Sequence, residues 1–316
     1  MDRKENLNNN NKKMQQIPEL KKIKIEDYNL IKKYYMLRRP MTSDSVILNL
    51  YLWENCYETY YYYNEKGLFF VAKDEDGYYT SPPMCREEDI EECFFNVQDY
   101  FNSVLNTKMK MLLTDTKMLK ILNLSDSEYE TEPAEKYYDY IYDAESLRTL
   151  SGRKYHKKKN HYNSFVKKYE GRYEFKFLTG KDREEIIRYL DKWRNDKEGA
   201  DEREYIDFEA VGIDYILKHY NELEYKIGGV YIDGVLEAFT IGCYYNEEKT
   251  AYIQVEKANA NISGLYTYIN KKFLTEAFPQ AKYVNREDDM GVEGLKKAKE
   301  SYKPIFMIEK YNIYQK

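Results

Sequence analysis

Two apolar stretches near the end of the chain each stop at a group of charged and amide side chains. AYIQVEK, residues 251–257, ends on Glu256 and Lys257, and KYVNRE, residues 282–287, ends on Asn285, Arg286 and Glu287. Either glutamate can accept a proton from an attacking amine, directly or through water. Lys257 or Arg286 can hold a phosphate or a carboxylate, and Asn285 can orient a carbonyl. A core has no use for so many ionisable groups at paired strand ends, because each costs free energy once it leaves water. A cleft does. The plainer reading is that Glu256 and Arg286 pair across the strand ends as a buried bridge. The few histidines stand in no arrangement that suggests a nucleophilic triad.

A second concentration of chemistry lies upstream. From Ser146 to Tyr169 there is no acidic residue, while Arg148, Arg153, Lys154, Lys157, Lys158, Lys159, Lys167 and Lys168 are cationic and His156 and His161 can join them. Leu147, Leu150, Tyr155, Tyr162, Phe165, Val166 and Tyr169 recur at near-helical spacing. The stretch therefore reads as a basic helix with one buried face. Its charged face fits phosphates: of a tRNA, a coenzyme or anionic lipid headgroups. The alternative is a solvated face. Lys296, Lys297 and Lys299 read as another solvated helix face.

The elements that must position these groups follow from periodicity. After the basic helix the order is strand (173–180), two helices (181–196 and 208–223), three strands, helix (264–278), strand, helix from Gly291 to Tyr302, and a last strand IFMIEKYNIY. Asp233-Gly234 between apolar runs marks a hairpin. The first half reads as two helices (24–37 and 43–57, the second with Ser43 as a possible cap), three short strands, a helix (87–105), a strand (108–115), a short helix and an extended tyrosine-rich stretch to Tyr142. The same order of elements thus occurs twice, without residue-by-residue repetition. The division expected is a disordered tail (1–20), one layer at 21–145 and a second at 146–316 that opens with the basic helix. The first layer, lacking charged strand ends, is expected to be non-catalytic or to shape the acceptor site.

The 316 residues suffice for two domains, and 42% hydrophobic content supports a sizeable core. A net charge of −5 argues against bulk nucleic-acid binding but not against a local basic patch. Cys56, Cys85, Cys93 and Cys243 are scattered, with no metal-ligand spacing, so no metal is expected and the cysteines read as buried thiols of a reducing compartment. No apolar run approaches a membrane span, and MDRKENLNNNNKKMQQ has no signal-peptide core. A cytoplasmic location is expected.

The strings RRPMTSDSVILNLYLWENCY (38–57), SGRKYHKKKNHYNSFVKKY (151–169), GGVYIDGVLEAFTIG (228–242), VEKANANISGLYTYIN (255–270) and YVNREDDMGVEGLKKAKESYKP (283–304) together resemble a bacterial family that shares the C-terminal domain of phosphatidylglycerol lysyltransferases. That family is distantly similar to Fem-type aminoacyltransferases, and its order of elements resembles Gcn5-related N-acetyltransferases. The resemblance implies an α/β (α+β) fold of two tandem acyl-CoA N-acyltransferase-like domains, with the acyl donor between two splayed parallel strands. It implies acyl transfer from aminoacyl-tRNA, or else acyl-CoA, to a small-molecule or lipid-headgroup amine or hydroxyl. A third reading is a binding protein that keeps the fold without catalysis. The lipid-modifying relatives carry a membrane-embedded part ahead of this domain, and no such apolar segment stands in this sequence. By the same resemblance Tyr302 occupies the place of a tyrosine that protonates the leaving group, although packing is the ordinary role of one tyrosine among 36. The superfamily's Gln/Arg-x-x-Gly-x-Gly/Ala loop, which cradles a coenzyme pyrophosphate, corresponds here to KANANISGLY. It keeps only Gly264, beside Asn259, Asn261 and Ser263, which can bind an anion at the helix start or cap the helix. The catalytic reading predicts that Glu256, Lys257, Asn285, Arg286 and Tyr302 converge on one open pocket, and dispersed or mutually sealed side chains would count against it.

Overall fold

Alternation of buried and exposed side chains sets the strands and a 3.6-residue apolar stripe sets the helices. The computed structural model describes residues 19–56, 58–74, 76–196 and 203–316. Most of the expected N-terminal tail, residues 1–18, lies outside them. In chain order the first half comprises β1 (Lys21–Lys22), α1 (Tyr28–Tyr35), α2 (Ile47–Trp53), β2 (Glu58–Tyr63), β3 (Gly67–Asp74), β4 (Gly77–Tyr79), β5 (Met84–Cys85), α3 (Ile90–Ser103), β6 (Lys110–Asp115), α4 (Thr116–Leu122), β7 (Tyr129–Pro133) and β8 (Asp139–Asp143). The second comprises α5 (Ala144–Thr149), α6 (His156–Lys168), β9 (Tyr173–Leu178), α7 (Arg183–Asn195), α8 (Arg203–Lys218), β10 (Lys226–Ile232), β11 (Val235–Tyr245), β12 (Thr250–Ala258), α9 (Leu265–Ala277), β13 (Tyr283–Asn285), α10 (Glu293–Glu300), β14 (Phe306–Ile308) and β15 (Lys310–Gln315). The mixed α/β order read from periodicity is present in both halves.

The sheets show what periodicity leaves open. A seven-stranded sheet runs β14-β8-β13-β12-β11-β10-β9, and a three-stranded one runs β6-β15-β7. The halves have therefore exchanged strands. β8 leaves the first half and lies between β13 and β14, while β15 leaves the second half and lies between β6 and β7. The expected single last strand is consequently two, which separate at Glu309 into different sheets. The exchanged strands begin side by side: Asp139 opens β8, Lys310 opens β15, and the two pair at 2.9 Å with no exposure to solvent. The remaining sheet, β1 to β5, is antiparallel and covers the first half's core of Phe69, Phe94, Phe101 and Met111.

Two local expectations are corrected. The basic stretch is not one helix. Leu150 and Gly152 both adopt positive φ, 53° and 86°, which ends α5 and starts α6 anew. Ser43 caps nothing. It is buried and gives both its backbone N–H and its hydroxyl to Asp139. The Asp233-Gly234 hairpin is present between β10 and β11, with φ of 52° and 82°.

Candidate functional site

β12 and β13 are the parallel pair of the large sheet, joined only through Thr250↔Tyr283, Ala251↔Val284 and Tyr252↔Asn285. Beyond Asn285 the chain stays with β8 instead: Arg286 N–H donates to the Tyr140 carbonyl, and Tyr140 N–H donates to that of Glu287. β12 continues to Ala258 along β11. A gap therefore opens between β12 and the chain after β13, at the carboxyl ends where open α/β sheets hold their ligands.

A bulge decides which side chains face the gap. Ile241 pairs with Val255 but the next residue, Gly242, pairs with Ile253, so Gln254 is the extra residue of β12. One added residue reverses the alternation that follows. Glu256 consequently faces α9, while Lys257 faces α7 and α8. Glu256 Oε1 lies 2.9 Å from Arg286 Nη2, and its Oε2 accepts from Asn270 of α9 at 2.9 Å. The Arg286 guanidinium lies over the Tyr302 ring at 4.6 Å and nears the Tyr142 ring at 5.8 Å. Tyr302, just past the end of α10, is buried and donates to Thr267 Oγ1 at 3.5 Å. Burial raises its phenol. Lys158 of α6 reaches the same place, its Nζ 3.7 Å from the Tyr302 ring centre. Burial, then the Arg286 charge, lowers its ammonium to about 8.

Of the five residues expected to meet in one open pocket, the structure brings together Glu256, Arg286 and Tyr302, and they are largely covered by one another. Lys257 pairs with Glu209 of α8 at 2.6 Å and lies over Trp193 at 4.4 Å, on the opposite face of the sheet. Asn285 alternates away from Arg286. Its amide donates to the Met41 carbonyl and to Asp139, and its oxygen receives Glu287 N–H, so it is a buried clip between the halves. Glu287 turns there with φ 59° and accepts from Asn49. Burial pushes its carboxyl up to about 8 and that of Asp288 to about 6. Lys299, expected on a solvated face, instead turns inward and donates to the Arg286 carbonyl.

The loop before α9 has its own arrangement. Gly264 takes φ 86°, and a Cβ there would lie 2.2 Å from the His161 carbonyl of α6. α6 thus lies across the start of α9, where a pyrophosphate would sit. Asn259, Asn261 and Ser263 cap nothing, since Gly264 is the N-cap and no side chain bonds there. Asn259 binds Glu237 and receives Asn261 N–H. With Tyr189, Lys192, Trp193 and Asp196, these two asparagines line a separate cleft of about 140 Å³. On α6 and just before it, Arg153, Lys154, His156, Lys157 and Lys159 are exposed and His161 is half-buried. The buried faces of Tyr155, Phe165 and Leu147 fit the predicted stripe.

Lys158 was placed by sequence with the exposed cations. The signal against that was present: Tyr155, Lys158, Tyr162, Phe165 and Tyr169 share one helical face, and the lysine sits within it. Asn270, between Ile269 and Phe273 on the buried side of α9, gave the same kind of signal.

A parallel pair that splays toward a polar centre and two halves that share strands define a mixed α/β protein. The chain belongs to the family of the phosphatidylglycerol lysyltransferase C-terminal domain, which matches residues 37–314. It is similar to a conserved protein of unknown function from Bacteroides thetaiotaomicron, with 27% identity, 95% of this chain and 100% of that one covered, and a TM-score of 0.84. The C-terminal domain of a putative lysylphosphatidylglycerol synthetase from Agrobacterium fabrum shares the fold at 13% identity, with 92% of each chain covered and a TM-score of 0.67. An uncharacterised protein of Mycoplasmoides gallisepticum is 28% identical over 190 residues, and the match spans 59% of each chain. No helix among the described residues is long and apolar enough to cross a membrane.

Proposed function

We propose that this chain is an acyltransferase that moves an aminoacyl group from aminoacyl-tRNA to an amine or hydroxyl acceptor, a small molecule or a lipid headgroup. The observation that carries the reading is the Glu256–Arg286–Tyr302 cluster at the splayed end of β12 and β13, in a chain of the lysyltransferase family. In the reaction the acceptor nitrogen or oxygen attacks the ester carbonyl, the carbon–oxygen bond to the terminal ribose breaks, and the ribose oxygen leaves with a proton. Arg286 faces the developing oxyanion. Tyr302, held protonated by burial, supplies the leaving-group proton, and Glu256 takes the acceptor's. The exposed Arg153, Lys154, His156, Lys157 and Lys159, with the half-buried His161 beside them, meet the tRNA phosphates.

An acyl-CoA donor is the weaker alternative, because α6 lies over the start of α9 where its pyrophosphate would rest. A second reading, a binding protein that keeps the fold, is favoured by one observation: both Glu256 oxygens are already engaged. The test is to incubate the chain with tRNA charged with labelled amino acids, or with acyl-CoA, and a panel of amines and glycerophosphodiesters, and to identify products by mass. New amide or ester product supports aminoacyl transfer. Product formed only from acyl-CoA, or none from any donor, overturns it.

A further inference from the structure

The charges at the strand splay do not balance. Lys158 and Arg286 both lie over the Tyr302 ring, at 3.7 and 4.6 Å, and among the described residues Glu256 is the one carboxylate set against them. Glu256 spends one oxygen on Arg286 and the other on Asn270. Arg286 Nη1 is buried and has no partner among the described residues. Lys158, alone of the α6 lysines, points into this place, and among the described residues its ammonium meets no acceptor oxygen, only the ring. A half-buried ammonium with no carboxylate of its own is costly, and beside an arginine that keeps one buried donor free after pairing with Glu256 it has the composition of an anion site.

We propose that Lys158 and Arg286 form an oxyanion-binding site against the Tyr302 ring, which takes a phosphate or carboxylate group at the splay of β12 and β13. The inference concerns the same cluster but not the reaction, so it stands whether or not transfer occurs. The oxyanion bridges Lys158 Nζ and Arg286 Nη1 and restores neutrality. The groups that face Lys158 are Arg286 from the chain after β13, Glu256 from β12, Tyr302 from beyond α10 and Lys157 on α6 itself. A lysine held near 8 by burial and by Arg286 regains its full charge when an anion arrives, so binding takes up a proton near that pH.

The experiment titrates the full chain with sodium phosphate or sodium acetate against sodium chloride at equal ionic strength, reading thermal stability and heat of binding. The wild type should bind phosphate or acetate in preference to chloride. The stronger of the two identifies the source as a phosphate or a carboxylate. Above pH 8 the affinity should fall about tenfold per unit. Lys158→Met should weaken binding at least tenfold, and Lys296→Met, an exposed lysine on α10, should leave it unchanged. Lys158→Arg keeps its charge and should retain binding at pH 9 to 10, where the wild type has lost it. That comparison holds even if the methionine variant does not fold. The proposal is overturned if neither anion stabilises the wild type beyond chloride. It is equally overturned if Lys158→Met and Lys296→Met lose affinity alike, or if Lys158→Arg loses binding over the same pH range as the wild type.

Discussion

At the scale of single residues, the junction behind the site makes the clearest statement about pH. Glu287 is half-buried, turned by its positive φ and bonded by Asn49. Its carboxyl titrates near 8 in the fold, against 4.5 as its ordinary value. Between those values the fold holds a proton that the unfolded chain has released. The stability this group contributes is complete below about 4.5 and is lost as pH rises through about 8. Urea unfolding at pH 5 and pH 9 should show the wild type losing stability on the alkaline side. Glu287→Gln, which keeps an acceptor for Asn49, should lose about 1–3 kcal/mol less. Equal losses would mean that the carboxyl is ionised in the fold at neutral pH. Residue types marked this region correctly as a concentration of charge. They did not tell Glu256 from Lys257, because that depends on one bulge at Gln254, a buried polar residue between Ile253 and Val255.

At the scale of elements, α6 does two things with two faces. One face presents Lys157, Lys159 and their neighbours to solvent, and the other delivers Lys158 to Tyr302 and covers the start of α9. The close approach rests on Gly264, whose φ of 86° and 2.2 Å clearance from the His161 carbonyl exclude a side chain. Gly264→Ala should therefore destabilise by at least about 2 kcal/mol in chemical denaturation. A change under half a kcal/mol would show that α6 does not rest there. The helix, strand and hairpin positions were legible because each is set by local periodicity and turn chemistry. The break in the basic stretch was less so: Gly152 signals a stop, but Leu150 in the left-handed region does not announce itself. The loss of the superfamily glycines was readable, and its physical meaning, a helix packed where a pyrophosphate would lie, was not.

At the scale of the whole molecule, the exchange of β8 and β15 makes each half complete only with a strand of the other. No periodicity reports this. Both strands alternate as any strand does, and the pair that pins them, Asp139 and Lys310, is 171 residues apart. Lys310 also reaches Asp44 at 2.6 Å and Ser43 at 3.0 Å, so it ties the turn ahead of α2 to both exchanged strands. The three carboxylates around it, Asp139 first, outweigh burial and raise its ammonium further. Lys310→Met should cost about 3–5 kcal/mol, because it strands a fully buried carboxylate. The halves should also unfold together. Trp53 lies in α2 and Trp193 in α7, so Trp53→Phe and Trp193→Phe leave one reporter per half. Coincident urea midpoints are expected. Separated midpoints would mean that the layers fold independently despite the exchange.

The central claim is that the splay of β12 and β13 carries acyl transfer, and single-turnover transfer from labelled aminoacyl-tRNA tests it most directly. Tyr302→Phe removes only the hydroxyl and leaves the ring beneath Arg286 and Lys158. With a donor and acceptor that the wild type uses, the variant should bind tRNA as the wild type does and transfer the aminoacyl group about 10²–10⁴ times more slowly. Transfer at the wild-type rate by Tyr302→Phe, and by Glu256→Gln in protein shown to be folded, would contradict the account and move the chemistry elsewhere on the molecule.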